Sequence, residues 1–172
     1  AAFGAGLPAF LARFPATSGV PYRADVARLE WAVCSTGQVP EAAPASPDIL
    51  KHLCGQAPTG LVLQPSLRFL VSRWPVDVLW DANRTAPAVH RLELMRRPTR
   101  LQLRRRGDSV AIAPLTPSVF VFRRTLAAGW PVETAASRAL GRDPLFDLVA
   151  ELLDLFRTGL VIGTDALTAR RP

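Results

Sequence analysis

The side chains in this sequence with the most chemical capacity are its arginines. Of 21 basic residues only Lys51 is a lysine, and guanidinium groups pair with carboxylates and phosphates in forked geometry and stack on aromatic faces. Arg84, Arg91, Arg96, Arg97, Arg100, Arg104, Arg105 and Arg106 crowd residues 84–106, opposed there only by Glu93. Where this segment alternates as strands, Arg91, Arg97, Arg100, Arg104 and Arg106 are expected on one sheet face, opposite the leucines. Like charges across neighbouring strands repel. Two readings follow: an anionic ligand or acidic protein surface relieves the repulsion, or the charges form a solvated edge that resists aggregation.

Other reactive residues are sparse. His52 and Cys54 are close in sequence, but His90 is distant and nothing completes a three- or four-ligand set, so no metal is expected. Cys34 and Cys54 fit neither a zinc-ligand nor a redox spacing and read as buried thiols. Gly4-Ala5-Gly6-Leu7-Pro8-Ala9 has the letters of a dinucleotide fingerprint but no room for a preceding strand. The motifs of serine hydrolases, zinc proteases and phosphate-cradling loops are missing from the sequence. The expectation is a chain without catalytic residues and without a cofactor of its own.

The 172 residues, 49% hydrophobic and 20% charged, predict a packed globular chain of one or two domains. No apolar run reaches the ~18 residues needed to cross a bilayer. The first residues lack the pattern of a signal peptide, and a cytoplasmic location is expected. A net charge of +7 raises the prospect of an anionic partner.

Along the chain, Val26, Leu29 and Val33 with Ala27, Trp31 and Cys34 predict an amphipathic helix over 22–35. Pro40, Pro44 and Pro47 make 37–47 an extended loop. Ser46-Pro47-Asp48 opens a short helix that Gly55 ends. Residues 61–63 and 67–71 read as strands, and 76–83 as a helical turn or two. From His90 the pattern gives three strands: Leu92 and Leu94, then Leu101 and Leu103, then Val110 and Ile112, with turns at Arg97-Pro98-Thr99 and Gly107-Asp108. Three helices follow, over about 116–128, 131–140 and 145–158, closed by Gly129, Gly141 and Gly159. The expected fold class is α+β: a helical and mixed segment over 1–83, then a winged-helix-like βββααα domain over 84–172.

A winged helix invites a DNA-binding reading. Against it, the third helix carries Asp147, Glu151 and Asp154 as its polar stripe, where phosphate binding calls for Lys or Arg. The rest of that helix is apolar around most of its circumference and is expected to meet apolar surface on more than one side.

Phe10-Leu11-Ala12-Arg13-Phe14-Pro15 and Pro21-Tyr22-Arg23-Ala24-Asp25-Val26-Ala27-Arg28-Leu29-Glu30-Trp31 resemble the HvfC/BufC family of bacterial proteins, often labelled DNA-binding. Gln64-Pro65-Ser66-Leu67-Arg68, Ser72-Arg73-Trp74-Pro75-Val76 and Leu79-Trp80-Asp81-Ala82-Asn83 match in order and spacing, and the likeness spans about Phe10 to Gly163. Members normally carry a further N-terminal helical segment, which this sequence lacks.

The resemblance implies a non-catalytic accessory subunit. Such proteins are similar in role to partners of HvfB/BufB enzymes, which resemble the MbnB multinuclear iron oxygenases that modify cysteines in ribosomally made peptides. Iron is then expected in the partner enzyme, and the precursor peptide is the second partner. The strand and helix order is also similar to PqqD-like peptide-recognition elements, in which the peptide adds to the third strand and packs on the third helix. That likeness nominates Val110, Ala111 and Ile112 with Phe146, Val149 and Leu152 as the peptide groove. Arg73, Trp74, Pro75 and Trp80 are nominated for the partner interface or the packing that shapes it. The alternative reading is a winged-helix transcription regulator with the arginine-rich hairpin as its wing.

Overall fold

The computed structural model describes residues 4–14, 19–49, 59–85 and 97–166. In chain order its elements are α1 (Leu7–Arg13), α2 (Arg23–Gly37), a 3-10 turn (Pro47–Ile49), β1 (Thr59–Leu63), β2 (Arg68–Ser72), α3 (Val76–Thr85), β3 (Thr99–Arg106), β4 (Ser109–Pro114), α4 (Pro117–Ala127), α5 (Val132–Leu140), α6 (Leu148–Arg157) and β5 (Val161–Ala166). The class is α+β, with two antiparallel sheets ordered β1-β5 and β2-β3-β4. The chain forms two compact units: residues 1–39 with 68–114, and residues 40–67 with 115–172.

In the first unit, α2 begins where Asp25 meets the positive end of the helix dipole. Its stripe of Val26, Leu29 and Val33 packs on the sheet. Leu29, Leu70, Val76, Leu101 and Leu103 form the buried centre, ringed by Trp74, Trp80, Val110 and Ile112. Register explains the shared face: Leu70 lies opposite Leu101, and Leu103 opposite Ile112. Gly107 turns the β3–β4 hairpin at φ +59°, while Asp108 keeps a negative φ. That combination is the pattern of a type II′ turn, whose first central position favours glycine.

In the second unit, α4 starts on Thr116, whose hydroxyl accepts from Val119 N–H, with Pro117 at the first helical position. Buried Gln64 ties three strands of backbone together: its side-chain oxygen accepts from Ala42 N–H at 3.0 Å, and its amide donates to Ala42 O at 2.7 Å and Gly159 O at 3.1 Å. The Pro/Ala-rich loop is therefore extended, as expected, and fastened. Gly159, at φ +70°, ends α6; a Cβ there would lie 3.4 Å from Pro44 of that loop. Ala45 N–H then donates to Val161 O.

The expected division near residue 84 differs from the observed one, because α2 packs on β2, β3 and β4 in the first unit while β1 pairs with β5 in the second. The strand over Leu92 and Leu94 lies outside the described residues. The third member of the central sheet is β2, which joins β3 across a long connection. The three C-terminal helices belong to the second unit and the three-stranded sheet to the first, whereas a winged helix needs both in one body.

Candidate functional site

Asp25 of α2 and the Ser72-Arg73-Trp74 segment, although far apart in the chain, meet in the first unit. The Ser72 hydroxyl donates to Asp25 at 2.5 Å and accepts from Trp74 N–H at 3.0 Å. Arg28 donates to the other Asp25 oxygen. This chain of bonds holds the Ser72-Arg73-Trp74 corner against α2 and borders an open groove of about 880 Å³. Ala5, Pro8, Ala9 and Ala12 of the α1 segment form one wall, Ala24, Asp25, Arg28 and Trp31 of α2 another, and Val71 through Trp74 the third. Tyr22 meets the Trp74 ring edge-on at 6.2 Å between centroids. Gly4 and Gly6, the letters of the dinucleotide fingerprint, form the turn that opens α1, with Leu7 N–H donating to Gly4 O.

The nominated partner residues therefore divide. Arg73 is exposed and Trp74 half-buried on the groove. Pro75 accepts from Leu79 N–H as α3 begins, and Trp80 packs on the buried centre. Asp25, Arg28 and Trp31 line the groove too, and the sequence reading gave them no binding role, Trp31 counting only toward the amphipathic pattern of α2.

The nominated peptide residues fall in both units. Val110, Ala111 and Ile112 lie on β4, an edge of the β2-β3-β4 sheet, and Phe146, Val149 and Leu152 belong to the second unit. Val110 and Ile112 turn their side chains onto the core. Their main chain faces the other way. In a two-residue hairpin the pair flanking the loop, Arg106 and Ser109, is the hydrogen-bonded one, so Ala111 N–H points to β3 and the N–H groups of Val110 and Ile112 point outward. The Phe146 ring lies tilted against that of Phe122 at 5.2 Å between centroids, Leu152 is half-buried and Val149 is exposed.

The cationic face requires correction. Arg100, Arg104 and Arg106 do alternate with Leu101 and Leu103, but Gln102 and Arg104 are only 5% and 9% exposed. Arg105, on the leucine side, donates to Gly37 O and Gly107 O. The middle of the face is thus buried, and solvated charge remains at Arg106 and at Arg97, which precedes β3. Arg91 lies outside the described residues.

Of the acidic stripe Glu151 is buried, Asp154 half-buried and Asp147 exposed. Buried Arg123 donates to Glu151 at 2.5 Å and to Asp154 at 2.8 Å; Arg157 donates to Asp154 at 2.6 Å. Burial pushes the Glu151 carboxyl above the usual glutamate value, against the pull of Arg123. Burial raises Asp154 too, but hydrogen bonds from Arg157 and Arg123 prevail and hold it below the usual aspartate value. Asp147 caps α6 by accepting from Ala150 N–H at 2.9 Å. Because α6 starts after that cap, Leu145, expected within the helix, precedes it and is 90% exposed. Leu145, Val149 and Leu153 leave a line of apolar side chains in solvent.

Cys34, expected buried, is exposed on α2. Cys54 and both histidines lie outside the described residues. Among the described residues, no cluster of three or more His, Cys, Asp or Glu side chains is placed to hold a metal, and no helix is long and apolar enough to cross a membrane. Comparisons with known protein families, with curated proteins and with solved structures found no match.

Proposed function

We propose that this chain is a non-catalytic recognition subunit that takes up an extended peptide by strand addition along the outer edge of β4. The edge itself carries the reading. Ser109–Pro114 holds no charged side chain, ends its sheet among the described residues, and directs the N–H groups of Val110 and Ile112 away from β3. Natural sheets usually blunt such edges with charge or cover them. Within the strand itself only Pro114, at its very end, interrupts the row of main-chain donors.

The resemblance to HvfC/BufC proteins supplies the wider setting. The peptide is a ribosomally made precursor, and the subunit presents it in the cytoplasm to a multinuclear iron oxygenase that modifies its cysteines, the iron belonging to that enzyme. Of the PqqD-like, winged-helix arrangement only the strand is kept; Phe146 packs on buried Phe122 and Leu152 is half-buried, so of the three residues nominated on the helix side only Val149 is exposed.

Amide hydrogen exchange on the full chain tests the reading. With a precursor peptide present, Val110 and Ile112 gain protection, and the chain co-elutes with an HvfB/BufB-like enzyme. A peptide that binds without protecting those amides refutes strand addition at β4. The DNA-binding alternative gains from the pairing of Glu151 and Asp154 with arginines, which removes bare carboxylates from α6, and loses from the burial of Arg104. Binding to random duplex DNA with a steep fall in affinity as salt rises would favour it.

A further inference from the structure

The groove between α1, α2 and the Ser72–Trp74 corner is independent of the β4 edge. Its walls combine two kinds of surface. Alanines and prolines at positions 5, 8, 9, 12, 21 and 24 leave space, while Trp31 and Trp74, both half-buried, add aromatic apolar surface. Aromatic-lined grooves of this make-up accept extended segments whose prolines pre-set their conformation.

Charge narrows the occupant further. Asp25, the only carboxylate among the described residues that line the groove, has one oxygen taken by Arg28 and the other by Ser72. Its charge is spent on holding the site together. Arg28 gives one nitrogen to Asp25 and stays 51% exposed, with further guanidinium N–H groups available. Arg73, which also lines the groove, is exposed as well. The groove therefore has an unspent positive charge next to an apolar floor, and Trp with Arg is the pairing enriched where binding energy concentrates.

We infer that this groove docks an extended, proline-containing segment of a second protein, with an acidic side chain seated against Arg28 and Arg73. The segment's prolines lie on Trp31 and Trp74. Carboxylate pairing with a guanidinium beside an apolar floor gives both charge selectivity and orientation.

The test uses the full chain and a short proline-rich peptide carrying one central glutamate, with glutamine and arginine counterparts as controls. Indole N–H resonances are assigned by Trp→Phe substitution. The glutamate peptide shifts the Trp31 and Trp74 signals and leaves Trp130 unmoved, and the arginine peptide binds at least about tenfold more weakly. Arg73→Glu, at an exposed position, reverses that preference. Ala9→Trp, which fills the groove from the exposed α1, abolishes binding while the thermal midpoint holds. Equal affinity for glutamate and arginine peptides, or a peptide insensitive to both variants, overturns the inference. Indole shifts with an oligonucleotide but not with the peptide overturn it as well. Protection along β4 is unaffected by either variant, so this proposal and the strand-addition reading fail separately.

Discussion

The Ser72 hydroxyl and the Asp25 carboxylate, 47 positions apart in the chain, share a 2.5 Å hydrogen bond. Ser72 is buried, and its oxygen also accepts from Trp74 N–H. Ser72→Ala leaves both partners short of a bond and should cost about 1–3 kcal/mol of stability. Thermal or urea unfolding measures it, and the Trp74 indole signal should broaden or move as the corner loosens. An unchanged midpoint together with an unchanged indole signal would show that this bond does not fix the corner.

Arg123 serves two carboxylates from a buried position. Removing it alone, as Arg123→Met, strands Glu151 without its partner and should destabilise by about 3–5 kcal/mol. Replacing Arg123 and Glu151 together by apolar residues should cost much less, because no uncompensated charge remains buried. A double-mutant cycle on chemical unfolding separates the two cases.

The same cluster sets a pH response with opposing signs. Asp154 has a depressed folded value, so its contribution is present above the ordinary aspartate value and is lost as pH falls through the folded one. Glu151 has a raised folded value, so its contribution is present below the ordinary glutamate value and is lost as pH rises through the folded one. Carbon-detected NMR titration should find Glu151 titrating above Asp154 by more than two unperturbed side chains would. Glu151→Gln should remove the loss on the rising side and leave Asp154's acid loss in place.

On β4, proline scanning distinguishes the two sides of the strand. Ala111→Pro removes a donor that points to β3 and should disrupt the hairpin. Val110→Pro removes one that points outward, and proline is tolerated at edges in that position. A folded Val110→Pro chain with precursor affinity reduced at least about tenfold is the expected result. Circular dichroism supplies the folding control. Val149→Asp is the matching probe of α6: its side chain is exposed, so stability should change by no more than about 0.5 kcal/mol.

What the sequence makes legible is local. The helix over α2, the turn at Gly107-Asp108 and the stops at Gly129 and Gly159 follow from residues that touch within a few positions. Pairing between distant segments does not: nothing in the alternation of Arg68–Ser72 says that it borders β3 rather than β1. For the same reason Asp147, Glu151 and Asp154 read as a polar stripe. Arg123, which turns two of them inward, sits on a different helix in a run of phenylalanine and valine. The adjacency of Arg123 and Arg124 within that apolar run is the one sequence hint that an arginine must be buried. The groove was partly legible, since Ala12, Pro21, Ala24, Asp25, Arg28, Trp31 and Ser72 to Trp74 fall in the runs quoted for the resemblance, but Ala5, Pro8 and Ala9 become its wall only through tertiary packing.

The path of the chain, which leaves the first compact unit at residue 39, returns at 68 and leaves again after 114, has a consequence for how the protein is made. A ribosome delivers α1 and α2 well before the strands that bury Leu29. The core of the first unit can close only once β3 and β4 have emerged, and β1 then still waits for its partner β5, which comes later in the chain. Vectorial synthesis thus yields no finished body early. Both units mature late, with helix α2 holding its apolar stripe open in the meantime, the interval in which an exposed hydrophobic face invites chaperone capture or aggregation.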